Sequence, residues 1–275
     1  MNGYTLWDKT PNTVSEKGKL FTKVFHFETN NEFKDRLVRV YLPSTYDFNN
    51  PNKRFKTLYM FDGKNLFDDY TSFAGEWKID EIVESLIEEG KDGYIVIGID
   101  APNEDVARTL EMSPDSLKPK RRLSPKGYAS LLASFVVNIV KPDIDNTFYT
   151  LKEREYTGIG GSSMGGIMSF YMGLEYPQVF KYCLNFSPAF FLFTDSSFKN
   201  YLDSHFSLDL PKQYFFVGGV GFEGVFVKTT TETYKYFLKR GFSKDDVLFV
   251  YDPTKEHNEK SWSQYFKAAI EGLDK

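Results

Sequence analysis

The segment Gly160-Gly161-Ser162-Ser163-Met164-Gly165-Gly166 limits what this chain can fold into more than any other stretch. A short apolar run, Tyr156-Thr157-Gly158-Ile159, leads into it and reads as a strand. Beyond it, Gly165 to Leu174 carries Ile167, Met168, Tyr171 and Leu174 at three- and four-residue spacing, which predicts a helix ended by Pro177. Passing from strand to helix in so few residues demands a sharp turn. Glycine at 161 and 165 removes the side chains that would collide there, and Ser163 is left at the apex with its hydroxyl pushed outward. Ser162 is not flanked by glycine at both required offsets, having Met164 at the second, so Ser163 is the expected apex residue.

The rest of the chain supplies a matching frame. Leu20 to Glu28 and Asp35 to Leu42 alternate apolar and polar residues about Asn30-Asn31, which predicts an antiparallel hairpin. Phe55 to Asp62 and Tyr94 to Asp100 are denser apolar runs, suited to strands covered on both faces. Helical spacing recurs at Ile79, Ile82, Val83, Leu86 and Ile87, from Gly127 to Val140 before Pro142, from Phe226 to Arg240 before Gly241, and from Lys260 to Leu273. Gln213 to Val217 and Val247 to Tyr251 read as late strands. The expectation is an α/β chain with a mostly parallel sheet of about eight strands, helices on both faces and an N-terminal antiparallel hairpin. Between Pro102 and Lys126 no periodicity survives, so a long substrate-side loop is expected there. No linker interrupts residues 1-275, which predicts a single domain.

A serine hydroxyl attacks only when a base takes its proton, and histidine is the natural base near neutral pH. Of three histidines, His26 lies in the first predicted strand and His205 in a surface helix, while His257 follows the last strand. His257 is therefore the expected base. Glu223, in the loop after the penultimate strand, is the expected acid, with Asp252 its nearest rival. Asp245 and Asp246 fall at the wrong end of the last strand, and Asp252 next to Pro253 suits a turn. The order serine, acid, histidine along the chain is that of the α/β hydrolases. An oxyanion would be met by the backbone N–H of Met164 and by that of Lys64, in the loop Phe61-Asp62-Gly63-Lys64-Asn65.

Other classes find little support. Gly158-x-Gly160-x-x-Ser163 lacks the third glycine of a dinucleotide fingerprint, and no His/Cys/Asp clustering suggests a metal, so no cofactor is expected. Net charge is −4, and the one basic cluster, Lys118 to Arg122, is short and Pro-interrupted, which speaks against nucleic acid. Cys183 is the only cysteine and lies in an apolar run, a buried structural thiol. With no basic-then-apolar N-terminus and no long apolar run, a cytoplasmic location without membrane contact is expected.

The chain also resembles the putative esterase family of α/β-hydrolases, which includes enterochelin (siderophore) esterases, S-formylglutathione hydrolases and carbohydrate acetyl and feruloyl esterases. The matching pieces include Arg39 to Pro43, Leu58 to Asp68, Gly75-Glu76-Trp77, Arg108 with Glu111 and Pro114, Lys141 to Ile144 and the Ser163 turn, then Tyr176 to Phe180, Ser187-Pro188 and His257-Asn258-Glu259 before Trp262. The resemblance implies an α/β-hydrolase fold and a serine esterase forming an acyl-enzyme through Ser163, His257 and an acid, acting on a small-molecule ester such as a siderophore or carbohydrate ester. By analogy Trp77 and Arg108 line the acyl or leaving-group side. Many relatives carry His-Gly where this chain has Asp62-Gly63, which alters the polarity beside the oxyanion. A catalytically silent binding protein on the same scaffold, or an acyltransferase to an alcohol, are the competing readings.

Overall fold

The computed structural model describes residues 3–29, 32–120 and 127–273. In chain order the elements are β1 (Thr5–Leu6), β2 (Lys19–Thr29), β3 (Glu32–Leu42), β4 (Lys56–Phe61), α1 (Ile79–Glu88), β5 (Tyr94–Ile99), α2 (Asp105–Met112), α3 (Ala129–Phe135) and α4 (Lys141–Thr147). The second half adds β6 (Thr157–Ser162), α5 (Met164–Glu175), β7 (Tyr182–Phe186), α6 (Asp195–His205), β8 (Lys212–Gly218), α7 (Gly224–Lys239), β9 (Val247–Asp252) and α8 (Glu259–Leu273). The strands form one sheet in the order β1-β2-β3-β5-β4-β6-β7-β8-β9. β1, β2, β3 and β5 pair antiparallel, and from β5 through β4 to β9 all pairings are parallel.

Period-two alternation divides the strand side chains between two cores. Tyr59, Ile97, Ile159, Phe215 and Val217 face the layer that includes α3, α5 and α7. Leu58, Met60, Val96, Tyr214 and Phe216 face α1 and α8, where Val83, Leu86, Phe266 and Ile270 cover them. Helices therefore cover both faces, and the central strands are apolar on both sides because neither side meets water. Since β4, β6, β7, β8 and β9 run parallel, the loops that follow them all emerge at one edge of the sheet.

Three expectations change. Among the described residues there are nine strands rather than about eight, because the two-residue β1 is too short for any alternation to show. The stretch after Pro102 contains α2, whose buried residues are Glu111 and Met112 and therefore give no apolar stripe; residues 121–126 of that stretch lie outside the described residues, as do Asn30-Asn31 of the hairpin connection. Pro142 does not stop the third helical segment. The chain runs from α3 through the wider π turn Val136–Val140 into α4, where Pro142 occupies the first turn. A proline there lacks only an N–H that a first turn need not use.

Candidate active site

Ser163 joins β6 to α5 with φ 56° and ψ −115°, a conformation that an L-residue holds only under constraint. The constraint is visible on both sides. The Ser163 N–H donates to the Phe186 carbonyl at 2.9 Å, and its own carbonyl accepts from Ala189 N–H at 3.1 Å. A Cβ on Gly161 would fall 2.7 Å from the Gly165 carbonyl carbon, and one on Gly165 would meet Phe61 Cβ at 3.0 Å and Asp62 Oδ2 at 3.1 Å. Both glycines are thus required by close approach, the second between the turn and the end of β4. Ser163 remains partly exposed while Met164 is buried at the first turn of α5, where the leading N–H groups have no intrahelical acceptor.

Glu223 and His257 lie on the loops after β8 and β9, and the structure brings them into contact. His257 Nδ1 is 2.5 Å from Glu223 Oε2. An ionised carboxylate can only accept, so Nδ1 carries the proton and Nε2 is left to accept one. Glu223 has no exposed surface, and its other oxygen is fully engaged: the Ser187 hydroxyl and the Gly218 N–H both donate to Oε1, the latter at 2.8 Å. Ser187, directly after β7 with φ 43°, is itself held by Trp262 Nε1 at 3.1 Å. The imidazole sits in an aromatic slot. Phe226 stacks on it at 4.4 Å and 18°, and Trp262 and Phe222 meet it edge-on at 4.9 and 5.7 Å. Phe226 is buried, but Phe222 is 60% exposed and offers an apolar wall beside the histidine.

The rival acid is committed elsewhere. Asp252 accepts from the Tyr265 hydroxyl and from Thr254 N–H and Oγ1, which hold its pKa down at about 2. His26 and His205 stand apart from this site. The first pairs with Asp35 on the exposed face of the hairpin, and the second ends α6 beside Tyr201 and Glu175.

On the other flank of Ser163, Asp62 follows β4 in a left-handed conformation, and a single helical turn from Gly63 to Asn65 carries Lys64 at its centre. Asp62 is buried and accepts both Arg108 Nε and Arg108 Nη2 at 2.7 Å. Burial works against the Arg108 charge, but the Asp62 carboxylate more than offsets it and the arginine pKa is raised. Arg108 therefore does not pair with Glu111, which is bound instead by Arg36 at 2.7 Å. Its side chain keeps 24% of its surface exposed. Glu259 completes this side: it accepts from Asn65 Nδ2 at 2.9 Å, and burial, reinforced by the Asp62 charge, raises its pKa. Trp77 is buried beneath, against Phe186, Trp262 and Phe266, and offers no surface to a substrate.

Sequence reasoning assigned no role to Ser187, Trp262, Phe226 or Asn65. Ser187-Pro188 and Trp262 stood among the family-like pieces, but nothing in their spacing announced whom they would touch. Cys183 is buried, and burial pushes its thiol up to about 12. No helix among the described residues is long and apolar enough to cross a membrane.

Comparison with known proteins agrees with this architecture. A family model described as putative esterase matches residues 33–265. An uncharacterized protein of Bacillus subtilis (strain 168), YbbA, is 22% identical over 253 residues, covering 87% of this chain and 92% of that one. Among solved structures, the BES protein from Bacillus cereus superposes with a TM-score of 0.70 at 17% identity, over 98% of this chain and 99% of that one. The enterobactin esterase FES from Shigella flexneri gives a TM-score of 0.64 at 14% identity, over 92% of this chain and 58% of that one. At such identities the structural likenesses speak for the α/β-hydrolase fold.

Proposed function

The chain belongs to the putative esterase family, and from that premise we propose that it is a serine carboxylic-ester hydrolase working through Ser163, His257 and Glu223. The observation that carries the proposal is the short His257–Glu223 hydrogen bond, made by a fully buried carboxylate at the sheet edge where Ser163 is held in its strained turn. In this reading His257 Nε2 takes the Ser163 proton as Oγ attacks the ester carbonyl. Glu223 fixes the Nδ1–H tautomer and offsets the imidazolium charge that forms. The tetrahedral oxyanion is met by the Met164 and Lys64 N–H groups, the alcohol leaves with the proton from His257, and water admitted by the same base releases the acid.

For the substrate we propose a siderophore or carbohydrate ester. The fold likeness to an enterobactin esterase favours it, as does the exposed Phe222 wall beside the histidine, which suits an apolar or aromatic acyl group. Arg108 lies on the opposite flank, where its remaining surface could meet a polar leaving group. A reducing location such as the cytoplasm suits the lone buried thiol of Cys183.

The test is hydrolysis of a short-chain p-nitrophenyl ester by wild type and Ser163→Ala in parallel, followed by siderophore, carbohydrate and thiol esters. Turnover should fall by about 10⁴–10⁶-fold in the variant with the fold unchanged. Undiminished turnover in Ser163→Ala would remove the serine mechanism. Inactivity of both proteins, with no labelling of wild type by a fluorophosphonate, would favour a binding protein.

A further inference from the structure

We infer that Glu76, Asp80 and Glu81 form a site for a hard divalent cation, on the α1 side of the sheet. Each of the three brings one carboxylate oxygen to within 4.8 Å of the others'. The donors are all hard oxygens, which suit calcium, magnesium or manganese.

A second observation turns this cluster into a site. Glu76 and Asp80 are 6% and 0% exposed, yet Glu76 Oε1 and Asp80 Oδ1 have no hydrogen-bond partner, and neither has Glu81 Oε2. The remaining oxygens of the two buried groups are already held: Glu76 Oε2 accepts from the Thr13 hydroxyl at 2.8 Å and Asp80 Oδ2 from Ser15 N–H at 2.7 Å. One oxygen on each buried carboxylate is thus positioned by the protein and the other is left over, open to a cation. The cationic contact to the cluster is weak, Lys78 Nζ at 3.8 Å from Glu81, on a side chain that is 62% exposed. Buried carboxylates without a counter-charge are costly, and a divalent ion supplies that charge. Glu81, partly exposed, gives the open side where water would complete the shell.

The placement gives the ion a structural consequence. Thr13 also bonds the loop before α1, accepting from Asp69 N–H at 2.7 Å and donating its N–H to Asp68 at 3.2 Å. An ion on Glu76 and Asp80 would clamp the segment from Trp7 to Ser15 against this loop. Glu76 adjoins Trp77, whose ring stacks on Trp262, the residue that holds Ser187 against Glu223.

Chelator-treated full-length protein should be titrated with Tb³⁺ while tryptophan is excited, since Trp77 next to Glu76 is placed to sensitise its emission. We expect saturable emission displaced by Ca²⁺, and a melting temperature about 2–4 °C higher in millimolar Ca²⁺ than in chelator. Asp80→Asn and, at the more exposed position, Glu81→Gln should each weaken Tb³⁺ binding at least about tenfold. Emission and melting temperature that ignore the ions would overturn the site, as would binding equally strong in both variants, which marks an adventitious surface ion. Stabilisation of Asp80→Asn alongside an ion-insensitive wild type would also overturn it, by showing that the cluster is neutralised by protons instead.

Discussion

Asp62 and Glu223 begin as the same design and end as opposites. Each is a buried carboxylate on the loop after a parallel strand, β4 or β8, and each flanks Ser163 from the same edge of the sheet. Asp62 faces a permanent cation, the Arg108 guanidinium, in a two-point ion pair. Glu223 faces a hydroxyl, a backbone N–H and an imidazole, donors that satisfy its lone pairs without cancelling its charge. The first carboxylate is neutralised where it stands and positions a loop. In the proposed mechanism the second, away from solvent, would serve a histidine that becomes positive during reaction. On that proposal burial after a strand does not make a triad acid; the charge of the partners decides it.

Glu223→Gln puts the largest strain on this comparison. The amide keeps the shape but loses the charge, and its NH₂ group favours the wrong histidine tautomer. We expect kcat for p-nitrophenyl ester hydrolysis to fall by about 10³–10⁴-fold with KM nearly unchanged. Asp62→Asn should cost no more than about tenfold in kcat, because the proposed oxyanion donor on that loop is the Lys64 backbone N–H and not the Asp62 side chain. Equal losses in the two variants would end the distinction between them.

Stability should reverse the ranking. Asp62→Asn strands a largely buried guanidinium, which in a fully buried pair costs about 3–5 kcal/mol. Arg108 keeps 24% of its side chain in solvent, so about 1–2 kcal/mol is the expected loss, read from the urea midpoint. Adding Arg108→Gln should recover part of it, since the stranded charge goes with the second change. A double variant no more stable than Asp62→Asn alone would mean the pair does not act as a unit.

The sequence disclosed these two carboxylates unequally. Ser163 was legible because a strand, two glycines and a helix must meet at one serine, and the order of strands then led to Glu223 and His257. The parallel sheet was legible from apolar runs such as Ile95-Val96-Ile97 that leave no face for water. The pairing of Asp62 with Arg108 was not legible: Asp62 stood only as a neighbour of the oxyanion loop and Arg108 only as a substrate-side residue by analogy, because α2 hides its buried side behind Glu111 and shows no apolar stripe. Ser187, Trp262 and Phe226 act through contacts 31 to 75 positions away, and no local pattern encodes those. The Glu76 cluster was invisible for a similar reason: Thr13 and Ser15, which leave its oxygens unpartnered, come from more than sixty residues upstream.

Glu259 offers the smallest but sharpest test, because it stands between the two cases. It has a neutral donor, Asn65, and the unfavourable charge of Asp62 nearby, with His257 partly relieving it. Burial, and then Asp62, raise its pKa in the folded protein above the unfolded value of about 4.3. The folded state therefore binds the proton more tightly, and this group's contribution to stability is complete below the unfolded pKa and is lost as pH rises through the folded one. Glu259→Gln keeps an acceptor for Asn65 and fixes the neutral form. Its melting temperature should match wild type near pH 4 and exceed it by about 1–2 °C at pH 7 and above. A gap that closes or reverses with rising pH would show that Glu259 is compensated in its charged form, as Asp62 is, and would move the boundary between neutralised and free carboxylates to the His257 side of Asn65.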